Sequence, residues 1–349
     1  MNHQITIGSR VISHDAPCYI IAEMSGNHNM DYSRAEKIVE AAADAGADAI
    51  KLQTYTADTI TLDCDSAPFQ ITQGTLWDGT TLHKLYEQAY TPWEWHEPLQ
   101  KKAHELGMEF FSSPFDFTSI DYLENLNVPA YKIASFEITD IPLIKRASSF
   151  GKPVIISTGI AHREDIALAV ETCKAAGNEN VILLKCCSAY PTPYEDIHLR
   201  SIPMIARDFD CLTGLSDHTM GSTVAGAAVA LGACVVEKHL TLARADGGVD
   251  SAFSMEPAEF KKMVDDIRVI EKALGRATYD LTEKAARERA HRRSLFIAAD
   301  LKQGDILTPE NLRSVRPGDG LHTKHYEELL GKRVTRDVAY GTPMSWDLV

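Results

Sequence analysis

Residues 214–241 read GLSDHTMGSTVAGAAVALGACVVEKHLT, which indicates a strand, a helix of small residues and a second strand. Each strand closes on a histidine, His218 in the first and His239 in the second. Consecutive strands of a βαβ unit are parallel neighbours roughly 5 Å apart, so their ends lie at the same edge of the sheet. One histidine at a strand end is usually structural. Two at matching positions predict a shared metal ion.

The same alternation of an apolar run and a helical pattern repeats along the chain. Eight strands are predicted at residues 19–25, 49–55, 109–115, 130–135, 153–159, 181–187, 211–217 and 234–240, each followed by a helix. Runs that are apolar on both faces are typical of parallel sheets covered by helices. The pattern predicts a (β/α)₈ TIM barrel over residues 1–275. A doubly wound sheet is the alternative, but no G-x-G-x-x-G follows the first strand.

One connection is much longer than the others. About 35 residues separate Tyr55 from the helix that begins near Pro92, and loops of this length are usually functional or disordered. Because the segment carries Trp77, Tyr86 and Tyr90, we expect an ordered lid or interface element beside the barrel mouth.

The pattern changes after residue 275. Residues 276–293 are polar and charged and predict a linker helix, whose cluster of Arg287, Arg289, Arg292 and Arg293 is either a solvated face or a partner contact. Residues 294–349 contain short strands and turns, which predict a small all-β domain. A unit of this size is marginal alone, so we expect it to pack on another surface.

Composition excludes several classes of protein. The chain has 349 residues, 44% of them hydrophobic and 24% charged, with a net charge of −14. This acidic balance argues against a nucleic-acid-binding or membrane-surface protein. The seven cysteines include no C-x-x-C pair, which favours reduced thiols. With no apolar signal segment or membrane span in the sequence, we expect a cytoplasmic protein.

Three lysines lie in predicted strands two, four and six, at Lys51, Lys132 and Lys185. Lysine is rarely buried without a partner. These lysines could pair with Glu23, Glu137 or Glu237, or they could converge on a small, multiply charged anion such as a phosphate ester. A third possibility is a Schiff base between one lysine and a carbonyl substrate. The predicted metal makes the imine less favoured, because both are ways to activate a carbonyl.

The predicted metal site would have two imidazole ligands. Structural zinc sites usually have four protein ligands, so this site would be open to water and substrate oxygens. Such a ligand set suits Mn²⁺ or Mg²⁺, with Co²⁺ or Zn²⁺ as competitors. The ion would polarise a carbonyl or lower the pKa of a bound water.

Nearly the whole chain resembles the sialic acid synthase family, which condenses phosphoenolpyruvate with an aldose to form a 2-keto sugar acid. The matching stretches are IIAEMSGNHN, DAIKLQTY, FFSSPFD, YKIASFE, VIISTG, SAYPTPYED, GLSDHT, EKHLT and GGVDSAFSMEP. The tail, with VRPGDGLH, resembles the antifreeze-protein-like SAF domain, a β-clip fold. GTLWDGTTL, LYEQAYTPWEWH and the residues after GGVD resemble the branch that acts on a 2,4-diacetamido-2,4,6-trideoxy-altrose.

The resemblance implies a role for each matching residue. His218 and His239 would hold a divalent metal, Mn²⁺ first, with Mg²⁺ or Co²⁺ possible. The groups that would bind phosphoenolpyruvate are Lys51, Ser113, Lys132, Ser135, Ser157, Ser188 and Ser216. The sugar would meet Gln53, Glu137, Tyr190 and Asp250, together with Arg316 from the neighbouring protomer of a domain-swapped homodimer. Glu23, Lys51, Lys132 and His239 would act in catalysis, Glu23 by orienting water or sugar hydroxyls.

The sequence departs from the family at Ser188, where Asn is common, and the serine side chain has a shorter reach. The resemblance implies that C3 of phosphoenolpyruvate attacks the sugar aldehyde, water adds at C2 and phosphate leaves by C–O cleavage. Alternatives are a synthase for another nonulosonic acid, N-acetylneuraminate or legionaminate, and a non-catalytic sugar-binding barrel.

Overall fold

The structure is a computed structural model of the chain, and it describes residues 1–72, 74 and 76–349. Gln73 and Thr75, the latter within the GTLWDGTTL stretch of the long loop, lie outside the described residues. Over the described ranges the chain forms two compact units, Met1–Gly275 and Arg276–Val349.

The first unit opens with a hairpin that the sequence analysis did not predict. Strand β1 (Ile5–Ile7) pairs antiparallel with β2 (Arg10–Ile12), and Ile5, Ile7 and Ile12 are buried. The Ser9 amide donates to Glu109 at 2.8 Å, and Arg10 forms an ion pair with Asp48. Because Asp48 and Glu109 lie at the beginnings of barrel strands, the hairpin covers the N-terminal end of the barrel.

Eight parallel strands of the described chain close into a barrel, which confirms the predicted fold. They are β3 (Tyr19–Glu23), β4 (Ala49–Thr54), β5 (Glu109–Pro114), β6 (Tyr131–Ile133), β7 (Val154–Ser157), β8 (Val181–Lys185), β9 (Leu212–Asp217) and β10 (Val235–His239). Pairing of β10 with β3, with His239 opposite Glu23, closes the ring. The strands are almost entirely buried, as expected for a sheet packed on both faces.

A helix follows each barrel strand. These helices are α1 (Tyr32–Ala45), α4 (His96–Glu105), α5 (Phe117–Asn125), α6 (Ile141–Ser148), α7 (Arg163–Ala175), α8 (Ser201–Phe209), α9 (Thr223–Ala230) and α10 (Pro257–Leu274). In α1 the side chain of Asp31 accepts from two amides of the first turn, and Gly46, with φ +86°, ends the helix. The apolar faces of the helices pack on the barrel.

The long connection after β4 carries structure of its own. It contains α2 (Ala57–Ile60), a bridge between Gln70 and Thr81, and α3 (Leu82–Ala89). A hydrogen bond of 3.0 Å joins His83 of α3 to Asp58 of α2. The described residues of this connection are therefore folded, as the sequence analysis expected.

The second unit has a small core of its own. Helix α11 (Glu283–Glu288) precedes strands β11 (Ser294–Ile297) and β12 (Leu312–Val315), which pair antiparallel, and α12 (Tyr326–Leu329) follows. Leu295, Leu312, Val334 and Met344 are among the buried residues of this unit. No helix in the described ranges is long and apolar enough to cross a membrane.

Candidate active site

A cavity of about 630 Å³ opens at the C-terminal ends of the barrel strands. Side chains two apart on a strand point to the same face, so successive inward residues at a strand end share this space. Lys51 and Gln53 therefore both point into the cavity from β4. Glu237 and His239 do the same from β10. The predicted site residues that line it are Lys51, Gln53, Lys132, Ser135, Glu137, Ser157, Ser188, Tyr190, Ser216, His218, His239 and Asp250.

Lys51 is held by two predicted residues that lie beneath the cavity wall. Its Nζ is 2.5 Å from Oε2 of Glu23 and 3.3 Å from Oγ of Ser113, and both partners are fully buried. Burial lowers the pKa of Lys51, but the carboxylates of Glu23 and Glu237 outweigh this effect and raise it. Lys51 therefore presents a fixed positive charge to the cavity.

Lys132 lies on β6, two strands from β4, which carries Lys51. Its Nζ donates to Oγ of Ser157 at 2.7 Å and to the Ile133 carbonyl at 3.2 Å. Burial lowers the pKa of Lys132, and the nearby carboxylate of Glu237 opposes that shift. The ammonium group is thus set beside a hydroxyl with little access to water, which suits it to bind an anion.

Glu237, which the sequence analysis named as a possible ion-pair partner of the lysines, lines the cavity. Its Oε1 accepts from Ser216 Oγ at 3.0 Å and lies 3.7 Å from Lys132 Nζ, while its Oε2 lies 3.9 Å from Lys51 Nζ. The carboxylate therefore stands between the two lysines. The spacing could have identified it, because position 237 shares a strand face with His239.

The third lysine considered for the anion site, Lys185, does not reach the cavity. Lys185 is absent from the described residues that line the cavity, and its Nζ donates to the Cys186 carbonyl at 2.9 Å. The next side chain, Cys186, points inward, since its Sγ lies 3.7 Å from Nδ1 of His218. Because side chains alternate along a strand, Lys185 points away from the cavity.

The buried lysines of the site are matched by carboxylates. Lys51 and Lys132 face Glu23 and Glu237, so these four side chains carry little net charge when all are ionised. The ion-pair alternative of the sequence analysis is therefore present for Lys51 with Glu23 and for Lys132 with Glu237. A multiply charged anion would need further positive charge, which a divalent cation at the histidines would supply.

The two histidines of the 214–241 stretch lie side by side at the mouth of the cavity. The ring centroids of His218 and His239 are 5.3 Å apart, and both rings pack against Phe253. Nδ1 of His218 lies 3.2 Å from the Cys187 carbonyl, which a protonated Nδ1 would donate to, leaving Nε2 as the free lone pair. Nδ1 of His239 is buried without a hydrogen-bond partner in the described structure.

These features fit a metal ion held by two imidazoles. Burial holds the pKa of His239 well below its usual range, which favours the neutral ring that can ligate. Burial also lowers the pKa of His218, but Cys186 outweighs this effect and raises it, so His218 would release a proton on binding a metal. The described residues contain no group of three or more His, Cys, Asp or Glu side chains that could hold a metal. An ion here would therefore complete its coordination with water or substrate oxygens.

Gln53 and Asp250 meet on one side of the cavity through Ser25, which the sequence analysis did not select. Nε2 of Gln53 donates to Oε1 of Glu23 at 3.1 Å and to Ser25 Oγ at 3.0 Å. Ser25 Oγ in turn donates to Asp250. Burial raises the pKa of Asp250, although the hydrogen bond from Ser25 opposes the shift. This polar network suits recognition of hydroxyl or amide groups.

Glu137 and Tyr190 lie on other parts of the wall. Oε2 of Glu137 is buried without a hydrogen-bond partner in the described structure, and burial raises the pKa of this carboxyl to about 7. The Tyr190 ring lies 4.5 Å from the His218 ring and 5.7 Å from the Trp77 ring. Tyr190 thus joins the histidine pair to the long loop.

Gly159 leaves space for two predicted hydroxyls at the cavity, those of Ser135 and Ser188. Its amide donates to Ser135 Oγ at 3.0 Å. A Cβ at this position would lie 2.3 Å from Ser188 Oγ and 2.7 Å from Ser135 Oγ, so any larger residue would displace both. Ser188 therefore reaches the cavity wall despite its short side chain.

The long loop forms the outer wall of the cavity. Trp77 donates from Nε1 to the Val249 carbonyl at 2.9 Å, and the ring of Tyr86 lies 5.5 Å from that of Tyr55. Both Trp77 and Tyr86 line the cavity, whereas Tyr90 does not. The expected place beside the barrel mouth is confirmed for the described part of the loop.

Arg316 belongs to the second unit, where it is exposed in the turn after β12. Its predicted role toward the site of a neighbouring protomer stays a prediction.

The fold and the cavity define a TIM-barrel enzyme in which lysine, glutamate, serine and histidine side chains meet at the C-terminal ends of the strands. The NeuB family model matches residues 38–279, and the SAF domain model matches residues 292–349. The chain belongs to the NeuB family.

Two curated relatives and one solved structure place the chain further. It is 46% identical to the pseudaminic acid synthase of Campylobacter jejuni, over 94% of this chain and 95% of the relative. It is 43% identical to the pseudaminic acid synthase of Helicobacter pylori, over 95% of this chain and 97% of the relative. The N-acetylneuraminic acid synthetase of Leptospira borgpetersenii, solved with citrate, is similar with a TM-score of 0.73 and 31% identity, over 82% of this chain and 95% of that one.

Proposed function

We propose that the chain catalyses the pseudaminic acid synthase reaction. Phosphoenolpyruvate, 2,4-diacetamido-2,4,6-trideoxy-β-L-altropyranose and water would be converted to pseudaminic acid and phosphate. Similarity to pseudaminic acid synthases over nearly the whole chain supports the choice of sugar. The observation that carries the chemistry is the convergence of Lys51 and Lys132 with the His218–His239 pair in one cavity.

The inner part of the cavity suits phosphoenolpyruvate. Lys51 and Lys132 would bind its phosphate and carboxylate, and the surrounding hydroxyls would complete the site. These hydroxyls are Ser113, Ser135, Ser157, Ser188 and Ser216. Fixed donors in a site that excludes water stabilise developing charge more strongly than water does.

The sugar would bind between this inner part and the long loop. Gln53, Asp250, Glu137 and Tyr190 offer donors and acceptors for its hydroxyl and amide groups. With both substrates held, C3 of phosphoenolpyruvate bonds to the aldehyde carbon of the open-chain sugar. Water adds to C2, and the C2–O bond to phosphate breaks with its electron pair on the phosphate oxygen. Holding the reactants in place can contribute roughly 7–11 kcal/mol.

His218 and His239 would hold a divalent metal. Mn²⁺ is the preferred ion, with Mg²⁺ and Co²⁺ as alternatives. The chemistry such an ion supplies is polarisation of a carbonyl oxygen. The lowered pKa of His239 and its buried Nδ1, which has no hydrogen-bond partner in the described structure, support this assignment.

We further propose that the enzyme is a cytoplasmic homodimer in which Arg316 of one chain completes the sugar site of the other. The seven free cysteines support a reducing compartment. The exposure of Arg316 leaves its guanidinium free for such a contact.

The test is phosphate release from phosphoenolpyruvate with Mn²⁺ and one of three sugars. These are the diacetamido-trideoxy-altrose, its mannose-configured counterpart and N-acetylmannosamine. Release with the altrose sugar alone would support the proposal, whereas preference for another sugar would refute the choice of acceptor. Phosphoenolpyruvate labelled with ¹⁸O at the bridging oxygen should give labelled phosphate if the C–O bond breaks.

A further inference from the structure

The cavity has two chemically different parts. Strand-end lysines, glutamates, serines and histidines surround its inner part, while the long loop supplies its outer wall. Among the described loop residues that line the cavity, most are apolar, including Ile60, Ile71, Leu82, Leu85 and Ala89. A phosphate ester needs none of this apolar surface.

Helix α3 presents one apolar face to this space. Leu82, Leu85, Tyr86 and Ala89 follow the i, i+3, i+4, i+7 spacing that places side chains on one side of a helix, and all four line the cavity. They are only half-buried, unlike the core residues of the barrel helices. Part of this face is therefore left for a ligand to cover.

The position of α3 is fixed by contacts at both ends. Thr81 caps the helix by accepting from the Lys84 amide, and His83 bonds to Asp58 of α2. At the other end the Ala89 carbonyl approaches Gly26 so closely that a Cβ there would lie 3.2 Å away. The apolar face is thus held toward the cavity before any ligand binds, which lowers the entropic cost of binding.

The proposed acceptor sugar has matching chemistry at one end. Its C1 aldehyde must meet the inner part, where phosphoenolpyruvate and the histidine pair lie. Its far end, from C4 to C6, then points outward and carries two methyl groups, one on the C4 acetamide and one at C6. N-acetylmannosamine has only hydroxyl groups at C4 and C6.

We propose that the apolar face of α3, centred on Leu85, selects the acceptor sugar by packing against the methyl groups at its C4–C6 end. This inference rests on the proposed function and adds the segment that recognises the 6-deoxy sugar. A hydrophobic contact of this kind discriminates by about 10- to 200-fold between ligands that differ by one small group.

The experiment combines a change in the sugar with a change in the protein. The two sugars are the diacetamido-trideoxy-altrose and its 6-hydroxy counterpart, which differ only by a hydroxyl at C6. The variants are Leu85→Gln, the milder Leu85→Ala, and Leu62→Gln as the matched control. Leu62 lies in the same loop, is 65% exposed and does not line the cavity. Thermal unfolding checks that each variant is folded.

We expect the wild type to prefer the 6-deoxy sugar by about tenfold or more in kcat/KM. Leu85→Gln should reduce this preference by about tenfold, Leu85→Ala should reduce it less, and Leu62→Gln should leave it unchanged. The KM for phosphoenolpyruvate should stay within about twofold in all of them, because the change is confined to the outer wall.

If Leu85→Gln and Leu85→Ala kept the same preference for the 6-deoxy sugar as Leu62→Gln, the role of Leu85 would be overturned. A wild type that uses both sugars equally well would overturn it too. Either result would leave the proposed reaction standing. A wild type that releases phosphate with neither sugar would instead refute the proposed function, and this inference with it.

Discussion

The ammonium group of Lys132 stands 3.7 Å from Oε1 of Glu237, and both of these side chains are buried at the inner part of the cavity. Burial of either charge alone would be costly, so each stabilises the other in the absence of ligand. An incoming anion would compete with Glu237 for the lysine. The charges of Lys132 and Glu237 therefore offset each other, and anion binding would change this pairing.

Substitution of Lys132 by alanine should lower turnover by about 10² to 10³, because one fixed electrostatic contact would be lost. Steady-state phosphate release measures the effect. Lys185→Ala is the matched control, since Lys185 lies on β8, two strands from Lys132 on β6, but does not line the cavity. Near-normal turnover of Lys132→Ala would remove this residue from the site.

Substitution of His239 by alanine should abolish Mn²⁺ binding together with activity, because only one imidazole of the pair would remain. Electron paramagnetic resonance of added Mn²⁺ reports binding independently of turnover. His104→Ala, at an exposed position on α4, should bind the ion as the wild type does. Unchanged Mn²⁺ binding by His239→Ala would rule out a metal shared between the two rings.

Glu137 should make the folded state less stable as the pH rises. Burial raises its folded pKa to about 7 from the ordinary value of 4.5, and Lys132 and Asp140 are the charged groups that act on it. The hydroxyls of Tyr86 and Tyr190 also lie near it. Between these two pKa values the folded chain holds a proton that the unfolded chain has lost, so stability falls through this window and levels off above pH 7.

Glu137→Gln should remove this pH dependence, which is on the order of 1–3 kcal/mol between pH 4.5 and 7.5. Denaturant unfolding of wild type and variant across this range measures it. The exposed Glu195→Gln serves as the control and should parallel the wild type. Parallel curves for wild type and Glu137→Gln would contradict the prediction.

Lys238→Met should destabilise the barrel by about 3–5 kcal/mol, because it would leave Asp217 buried without its partner. The two groups are 2.6 Å apart, with side-chain exposures of 1% and 0%. The thermal midpoint should fall by roughly 6–20 °C. Lys261→Met removes the exposed pair with Asp265 on α10 and should change stability by less than about 0.5 kcal/mol. Equal midpoints for the two variants would count against the prediction.

Arg316→Ala should raise the KM for the sugar and leave that for phosphoenolpyruvate unchanged, because the arginine is expected to contact only the sugar. Arg313→Ala, another exposed arginine of the second unit, is the control. If chains share sites, heterodimers of Arg316→Ala with Lys132→Ala should recover part of the activity. Verified heterodimers without recovery would argue against the swapped arrangement.

The sequence predicted the barrel because its main features are local. Each strand is an apolar run ended by Gly or polar residues, and each is followed by a helical pattern, so all eight units could be placed to within a few residues. The N-terminal hairpin was missed because its strands have three residues each and no distinctive pattern. Ile5, Ile7 and Ile12 acquire their role only by packing against the end of the barrel.

Loop residues at the site were less predictable than strand residues. Ser25 joins Gln53 to Asp250, but its own stretch gave no reason to expect a contact with a residue 225 positions away. The apolar face of α3 has helical spacing, but spacing alone cannot distinguish a face that covers a cavity from one that covers a core.

The sequence by itself determined that eight strand–helix units are present and that several strands end in lysine, serine, glutamate or histidine. Only the tertiary structure decided which of these side chains meet. A barrel strand is apolar on both faces because the helices cover its outside and neighbouring side chains fill its inside. Hydrophobicity therefore does not reveal which alternate residues point inward, and for that reason the sequence could not show that Lys185, unlike Lys51 and Lys132, stays out of the cavity.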